Sequence, residues 1–133
     1  MGRGPVIVLD THAWIWWLAE PAKLGKRAKE HLGSAPSIGV SAISCWEIAT
    51  LVAKRRLGLD RDVLEWLEAA CHQPRLDLIP ITPAIAVRST RLPPEFRADP
   101  ADRIIVATAA IFGATLITKD DGIRGFSRVP TAW

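Results

Sequence analysis

Apolar residues follow two alternating patterns along this chain. Short continuous apolar runs, which are typical of parallel strands covered on both faces, alternate with stretches in which apolar residues recur at helical spacing. The predicted strands are 6–9, 37–40, 77–81 and 115–118, with a short one at 128–131. The predicted helices are 12–19, 24–32, 41–56, 60–71, 82–91 and 99–112. This alternation predicts an α/β fold, namely a three-layer α/β/α sandwich around a central, mainly parallel sheet of four to five strands.

The stretch 99–120 carries the clearest local signals. Asp99 is a favoured N-cap residue, and Gly113 is a favoured C-terminal stop. We therefore expect a buried helix between them, with Asp102 in its first turn and on the same face as Asp99. A short strand follows this helix, and residues 119–122 are expected to form the turn after that strand.

The composition limits the classes of protein to which this chain can belong. The chain has 133 residues, enough for a substantial core, and we expect a single domain over residues 1–133. Its hydrophobic fraction of 49% and charged fraction of 23% are typical of soluble globular proteins, and its net charge of +3 permits a polyanionic partner without proving one. The apolar runs are too short to span a membrane, and we expect no signal peptide. Cys45 and Cys71 are expected to be reduced thiols, which favours a cytoplasmic protein.

Four carboxylates fall where such a fold places its ligand site. Ligands of parallel α/β sheets bind beyond the carboxyl ends of the strands. Asp10 and Asp120 follow the first and fourth predicted strands, whereas Glu47 and Asp102 lie in the first turns of helices that start at the same edge. Glu47 is also the only charged residue in the range 41–53. Because a cluster of buried carboxylates is costly unless a cation compensates it, and because oxygen ligands suit Mg²⁺ or Mn²⁺, the pattern predicts a metal site.

Each of the four acids also has a structural explanation. Asp102 could interact with the helix dipole, and Glu47 could form a capping box with Ser44. Asp10 could cap the helix that follows it, and Asp120 could belong to a turn. It is the meeting of all four at one edge of the sheet that favours metal binding over these separate roles.

Residues beside the four acids are expected to support the site. Thr11 and Thr118 adjoin two of the acids, and their hydroxyl groups could orient a carboxylate or a bound water. Threonines at strand ends also commonly bond to the backbone instead. The N-cap role explains Asp99 fully, so we expect it beside the metal ligands at most. We expect His12 to be packed or solvated and not to be a ligand.

Four sequence blocks resemble the motifs of the PIN-domain family, and in particular those of the VapC toxins of bacterial and archaeal toxin–antitoxin pairs. The blocks extend over nearly the whole chain and read LDTHAWIWWL, SAISCWEIATLVAKRRLGL, DPADRIIVATA and ATLITKD. The acids of the family map onto Asp10, Glu47, Asp102 and Asp120. The resemblance implies a Mg²⁺- or Mn²⁺-dependent endoribonuclease that is usually a homodimer and is inhibited by a cognate VapB-like antitoxin.

The implied chemistry is hydrolysis of RNA phosphodiester bonds. One or two metal ions held by the four acids would activate a water for in-line displacement, so the same residues would be metal ligands and catalytic residues. Lys119 and Arg103 adjoin two of the acids, and Arg97 lies near the same edge. These three are candidates for contacts with the RNA backbone, although Lys119 and Arg103 could equally point away from it.

Other classes of protein that cluster acids fit the chain less well. A receiver-type signalling domain requires an aspartate after the third strand, where Thr82 stands. A haloacid-dehalogenase-like phosphatase requires a second aspartate two residues after Asp10, where His12 stands. A PIN fold used only for binding tends to lose some of the acids, and this chain retains all four. The main alternative is a PIN-domain RNA-processing nuclease without a toxin role.

The helix 12–19 carries more apolar surface than one core contact requires. Trp14 and Trp17 share one face of this helix, whereas Trp16 points elsewhere. We expect the surplus apolar surface, together with the neighbouring helix 24–32, to form a groove for a helix of the antitoxin.

Overall fold

The computed structural model describes residues 4–96, 98–126 and 128–133. The strands of these ranges are β1 (Ile7–Leu9), β2 (Ile38–Ser41), β3 (Leu76–Ile79), β4 (Thr115–Ile117) and β5 (Thr131–Ala132). The helices are α1 (Thr11–Ala19), α2 (Lys26–Ser34), α3 (Ala42–Ala53), α4 (Val63–Cys71), α5 (Pro83–Thr90), α6 (Pro100–Phe112) and α7 (Asp121–Arg124). Within the described ranges, none of these helices has the length and hydropathy that a bilayer crossing requires.

All five strands are parallel and form one sheet in the order β3-β2-β1-β4-β5. Val8 of the central strand β1 pairs with Gly39 of β2 on one side and with Leu116 of β4 on the other. The chain first runs outward from β1 to β3 and then returns to place β4 on the opposite side of β1. The direction of winding therefore reverses between β1 and β4, and such a switch point opens a crevice at the carboxyl edge of the sheet.

Two hydrophobic clusters cover the two faces of the sheet. Residues of α1, α2 and α4 build one cluster around the fully buried Trp14, whereas α5, α6 and α7 build the other. Side chains of β1 alternate between them: Ile7 and Leu9 belong to the first cluster and Val8 to the second. This alternation follows from the pleat of a strand, which points successive side chains to opposite faces. The predicted three-layer α/β/α sandwich is confirmed.

The signals predicted at both ends of α6 are confirmed. Asp99 is the N-cap, and its Oδ1 accepts a hydrogen bond of 2.8 Å from the backbone N–H of Asp102. Gly113 ends the helix with a φ of 61°, a left-handed conformation that residues with a Cβ rarely adopt. The two caps fix the position of Asp102 in the first turn of α6.

Local predictions differ from the structure in two other places. The turn predicted at 119–122 is the start of the short helix α7, because Asp120 caps it by accepting a 2.9 Å hydrogen bond from the N–H of Ile123. The helix predicted over 60–71 begins at Val63 with Asp62 as its N-cap, whereas Asp60 pairs with the neighbouring arginine. In both places the sequence offered several acids, and the path of the backbone selected one.

Candidate active site

The four acids predicted from the sequence meet beside β1 and β4. Asp10 follows β1 and caps α1, and Asp120 follows β4 and caps α7. Glu47 lies on α3, and Asp102 lies in the first turn of α6. All four line one cavity of ≈ 500 Å³. The crevice between β1 and β4 thus gathers side chains from four separate elements.

Two hydrogen bonds hold the buried carboxylate of Asp10 in place. Its Oδ1 accepts a 2.8 Å bond from the N–H of Ala13, and its Oδ2 accepts a bond from the hydroxyl of Thr118. The hydroxyl oxygen of Thr118 in turn accepts a 3.1 Å bond from the N–H of Asp120. Thr118, which is fully buried, therefore links the two acids that follow β1 and β4.

Glu47 is oriented by the start of α1. The hydroxyl of Thr11 donates to Glu47 Oε1, and the oxygen of that hydroxyl lies 2.9 Å from the hydroxyl oxygen of Ser44. The capping box suggested for Ser44 and Glu47 is wrong. The N-cap of α3 is Ser41, which accepts a 3.2 Å bond from the N–H of Ile43. Because the cap lies three residues earlier than the capping box required, Glu47 lies in the second turn of α3 and not in its first turn, where it was predicted.

Asp99 lies closer to the site than its capping role suggested. One carboxylate oxygen from each of Glu47, Asp99 and Asp102 lies within 4.8 Å of the other two. The signal for this was present in the sequence, because Asp99 and Asp102 are three residues apart and share a helix face. Asp99 therefore both caps α6 and contributes a fifth carboxylate to the cavity.

Burial and mutual repulsion raise the pKa of three of these carboxyl groups. The pKa of Asp102 rises from 3.8 to about 7, first because of burial and then because of the charges of Asp99, Glu47, Asp120 and Asp10. Burial also raises the pKa of Asp10 and of Glu47, against the hydrogen bonds from Thr118 and Thr11 that lower them. A site that keeps the carboxyl group of Asp102 partly protonated at neutral pH is one that a cation would complete.

These shifts predict how the stability of the metal-free protein depends on pH. A carboxyl group whose pKa is raised in the folded state keeps its proton to a higher pH there than in the unfolded state. The free energy of unfolding therefore falls as pH rises from 3.8 toward about 7. We expect Asp102→Asn to raise the melting temperature, relative to the unmodified protein, more at pH 7.5 than at pH 4. Melting curves in EDTA across this range measure the difference. A difference that stays constant with pH would contradict the shift, and Asp77→Asn, an exposed acid on β3, is the matched control.

Two aromatic rings and one cation complete the wall of the cavity. His12, Trp16 and Lys119 line it together with the five carboxylates and Thr11. His12 is exposed, as expected, and its ring centroid lies 5.6 Å from that of Trp16. Neither ring is predicted from the sequence to lie in the site. Their spacing carried the signal, because residues four apart on a helix that starts beside Asp10 share a face near it.

The three candidates for contacts with RNA have different surroundings. Lys119 is exposed at the cavity. Arg103 instead donates to two backbone carbonyls of the loop before α6, to Phe96 O at 2.9 Å and to Ala98 O at 3.2 Å. This guanidinium group therefore holds the loop, and we leave Arg103 out of the proposed RNA contacts. Arg97 lies outside the described residues.

A second cavity, of ≈ 740 Å³, is lined by Trp17 at the end of α1, by residues 58–61 and by α4. The groove for a partner was expected between α1 and α2, whereas this cavity lies between α1 and α4. The apolar residues Ala28 and Leu32 of α2 are buried in the core, so this helix offers no apolar wall to a partner. Trp17 of α1 is only partly buried, and it lines the cavity opposite residues of α4.

Comparisons with known proteins agree with this geometry. Residues 7–131 match the family described as the PIN domain. The chain is 39% identical to ribonuclease VapC22 of Mycobacterium tuberculosis over 129 residues, which cover 96% of this chain and 98% of the relative.

Two solved structures share the fold. VapBC2 of Rickettsia felis, bound to a DNA fragment from the promoter, matches with a TM-score of 0.70 at 16% identity over 95% of this chain and 96% of that one. VapC20 of Mycobacterium tuberculosis, a toxin that cleaves the sarcin–ricin loop, matches with a TM-score of 0.62 at 18% identity over 93% of this chain and 98% of that one. The family match and the 39% identity both extend over nearly the whole sequence. The chain therefore belongs to the PIN-domain family and is a relative of the VapC ribonucleases within it.

Proposed function

We propose that this chain is an endoribonuclease that requires Mg²⁺ or Mn²⁺ and acts in the cytoplasm as the toxin of a VapBC-type toxin–antitoxin pair. The observation that carries the proposal is the convergence of five carboxylates on one cavity, where the pKa of Asp102 is raised to about 7. Strongly shifted pKa values concentrate at functional sites. The relative VapC22 is named a ribonuclease, and VapC20 is described as a toxin that cleaves the sarcin–ricin loop.

The donors of the cavity suit a hard divalent cation. Glu47, Asp99 and Asp102 offer three oxygens within 4.8 Å of one another, and Asp10 and Asp120 line the same cavity. The lining holds five carboxylates and one imidazole, that of His12, and a donor set in which oxygens predominate favours Mg²⁺ or Mn²⁺ over softer metals. A divalent ion bound there supplies a nucleophilic water at neutral pH and stabilises the charge that develops on the phosphate.

The chain's own hydrogen bonds prepare the ligands for this role. Thr118 holds Asp10 and positions the backbone of Asp120, and Thr11 holds one oxygen of Glu47. Ligands fixed in this way lose little further freedom when an ion binds, which favours binding. Lys119, the cation at the cavity, is placed to meet the phosphate backbone of an RNA.

The chemistry of the cleaved ends tests the proposal. If the nucleophile is water, hydrolysis of an internal linkage leaves a phosphate on one new end and a hydroxyl on the other. We expect purified protein with Mn²⁺ to cut RNA internally without producing 2′,3′-cyclic phosphates, which form only when the ribose 2′-hydroxyl attacks. Mass spectrometry of the fragments distinguishes the two results. A cyclic phosphate at the cut end would reject the proposed mechanism.

We further propose that the antitoxin covers the cavity between α1 and α4. Its walls combine apolar side chains, such as Trp17 and Trp66, with the charged residues Asp60 and Arg61. Such a mixed groove suits an amphipathic segment of a partner protein. The relative from Rickettsia felis is described as a VapBC pair, which supports a partner of this kind.

A pair of substitutions on α4 tests this placement. Ala69 lines the cavity, whereas its exposed neighbour Glu68 does not. We expect Ala69→Arg to prevent inhibition by the product of a neighbouring small reading frame while RNA cleavage stays at the normal rate, because a long charged side chain would fill the groove. Glu68→Arg should leave inhibition intact. Equal inhibition of both variants in a cleavage assay would place the partner elsewhere.

A further inference from the structure

The ring of Trp16 lies at the acidic cavity and has no part in the metal chemistry described above. Trp16 follows Asp10 by six residues, which is about 9 Å along the axis of α1. Its side chain is half-buried and lines the same cavity as the five carboxylates. An aromatic surface thus lies in the same cavity as the carboxylates that are expected to hold the metal.

The C-terminal residue of the chain holds this ring in place. The indole of Trp133 packs edge-on against that of Trp16, with the ring centroids 5.7 Å apart. The carbonyl of Trp133 accepts a 3.1 Å hydrogen bond from the N–H of Ala28. A Cβ at Gly25 would lie 2.0 Å from the carbonyl oxygen of Trp133, so only glycine fits there. The orientation of Trp16 is therefore fixed by contacts far apart in the sequence.

Two lysines lie over the same ring and differ in how they are bound. The Nζ atoms of Lys23 and Lys119 are each 5.8 Å from the centroid of Trp16. Lys23 is also paired with Glu20 at 2.8 Å, whereas Lys119 forms no ion pair within the part of the chain that the structure describes. The contact of Lys119 with the ring is a cation–π interaction on a flexible stem, which a stronger partner such as a phosphate can replace.

We infer that Trp16 is a stacking platform for an unpaired nucleobase next to the phosphate that is cleaved, and that Lys119 leaves the ring for the RNA backbone when the base arrives. The inference rests on the proposed nuclease function and identifies the residue that would bind the base beside the cleaved bond. A base within a duplex is already stacked on its neighbours and cannot lie on a protein ring without being extruded. Single-stranded bases stack on aromatic side chains with little preference for sequence.

Binding of short RNAs that lack one base tests the platform. The probe is an eight-nucleotide single-stranded RNA and its series of single abasic derivatives, and the Asp102→Asn background slows cleavage during the measurement. In this background we expect one abasic position to weaken binding roughly 5- to 150-fold, measured by fluorescence anisotropy. The double variant Asp102→Asn/Trp16→Ala should bind the intact RNA as weakly as Asp102→Asn binds that abasic derivative. Removing the same base from the RNA should not weaken binding to the double variant any further. Trp16→Phe, which keeps an aromatic face, should restore most of the loss.

Two controls separate stacking from other roles of these residues. Trp46, which is 60% exposed on α3 and does not line the cavity, should tolerate Trp46→Ala without a change in the abasic series. Lys119→Gln should reduce the slope of log affinity against log salt by about 0.7, the value for one phosphate contact on a single strand, whereas Trp16→Ala should leave the slope unchanged.

One result would contradict the stacking role of Trp16 and still leave the nuclease proposal intact. In that result, the unmodified protein cleaves RNA, but adding Trp16→Ala or Trp16→Phe to Asp102→Asn does not change the affinities measured for the abasic series. If Trp16→Ala instead abolishes inhibition by the antitoxin and leaves RNA binding unchanged, the ring belongs to the protein partner and the inference is equally wrong. A protein that neither binds nor cleaves RNA would reject both proposals together.

Discussion

Replacing Asp102 by asparagine is expected to reduce RNA cleavage by more than about 100-fold, which exceeds the roughly 10- to 100-fold cost of losing a residue that only orients a ligand. Asparagine keeps the size of the side chain and removes one charge from the three oxygens that Glu47, Asp99 and Asp102 bring within 4.8 Å. The same change should leave the metal-free protein as stable as before or more stable. Cleavage assays and melting curves in EDTA measure the two effects.

Two opposing contributions decide the stability of this variant. As an acid in the first turn of α6, Asp102 gains about 0.3–1 kcal/mol from the helix dipole, and asparagine loses that gain. Burial and four neighbouring carboxylates act against the charge and raise the pKa of Asp102 to about 7. Because the raised pKa shows that the unfavourable contribution is larger, removing the charge should not cost stability at pH 8.

Asp77→Asn is the matched control for this experiment. Asp77 is an exposed aspartate on the edge strand β3 and does not line the acidic cavity. The control should retain both cleavage and the response of stability to metal. An Asp102→Asn protein that is less stable without metal yet cleaves RNA at the normal rate would remove Asp102 from the site and assign it to the helix end.

Removing divalent metal is expected to abolish RNA cleavage and to lower the stability of the unmodified protein. Five carboxylates line the cavity, and Lys119 is the one lysine or arginine among the described residues that line it. A cation that binds the folded state alone stabilises it by about 2.7 kcal/mol when its concentration is 100 times its dissociation constant. We therefore expect the melting temperature to rise with Mg²⁺ or Mn²⁺, and cleavage to stop in EDTA and to resume when excess metal is added.

The metal response of Asp102→Asn serves as the control for specific binding. An ion held at the carboxylates should stabilise this variant much less than the unmodified protein, whereas an ion acting generally on the charged surface should stabilise both equally. Activity that persists after thorough chelation would show that the acids act without metal. Equal melting shifts in the two proteins would place the ion outside the cavity.

The alternation of apolar patterns was sufficient to predict the layers of this fold. The inner strands of a parallel sheet are buried on both faces, so their apolar runs are continuous and short, and the chain must return through a helix before the next strand. The N-cap at Asp99 and the glycine at Gly113 were predictable for a local reason, because both depend on backbone conformations that few residues satisfy. The caps of α4 and α7 were less predictable, since several acids stand close together in those loops.

The sequence by itself determined that Asp10, Glu47, Asp102 and Asp120 would reach one edge of the sheet, since that edge follows from the order of strands and helices. Tertiary structure alone decided how the ring of Trp16 is held at the cavity and which helix lies opposite the surplus apolar surface of α1. Trp133 packs against Trp16 and fixes its ring. The surplus apolar surface of α1 faces α4, since the apolar face of α2 is already buried in the core. The physical reason is the distance along the chain: periodicity and capping depend on residues within a few positions of one another, whereas packing depends on contacts between residues far apart in the sequence, such as Trp16 and Trp133.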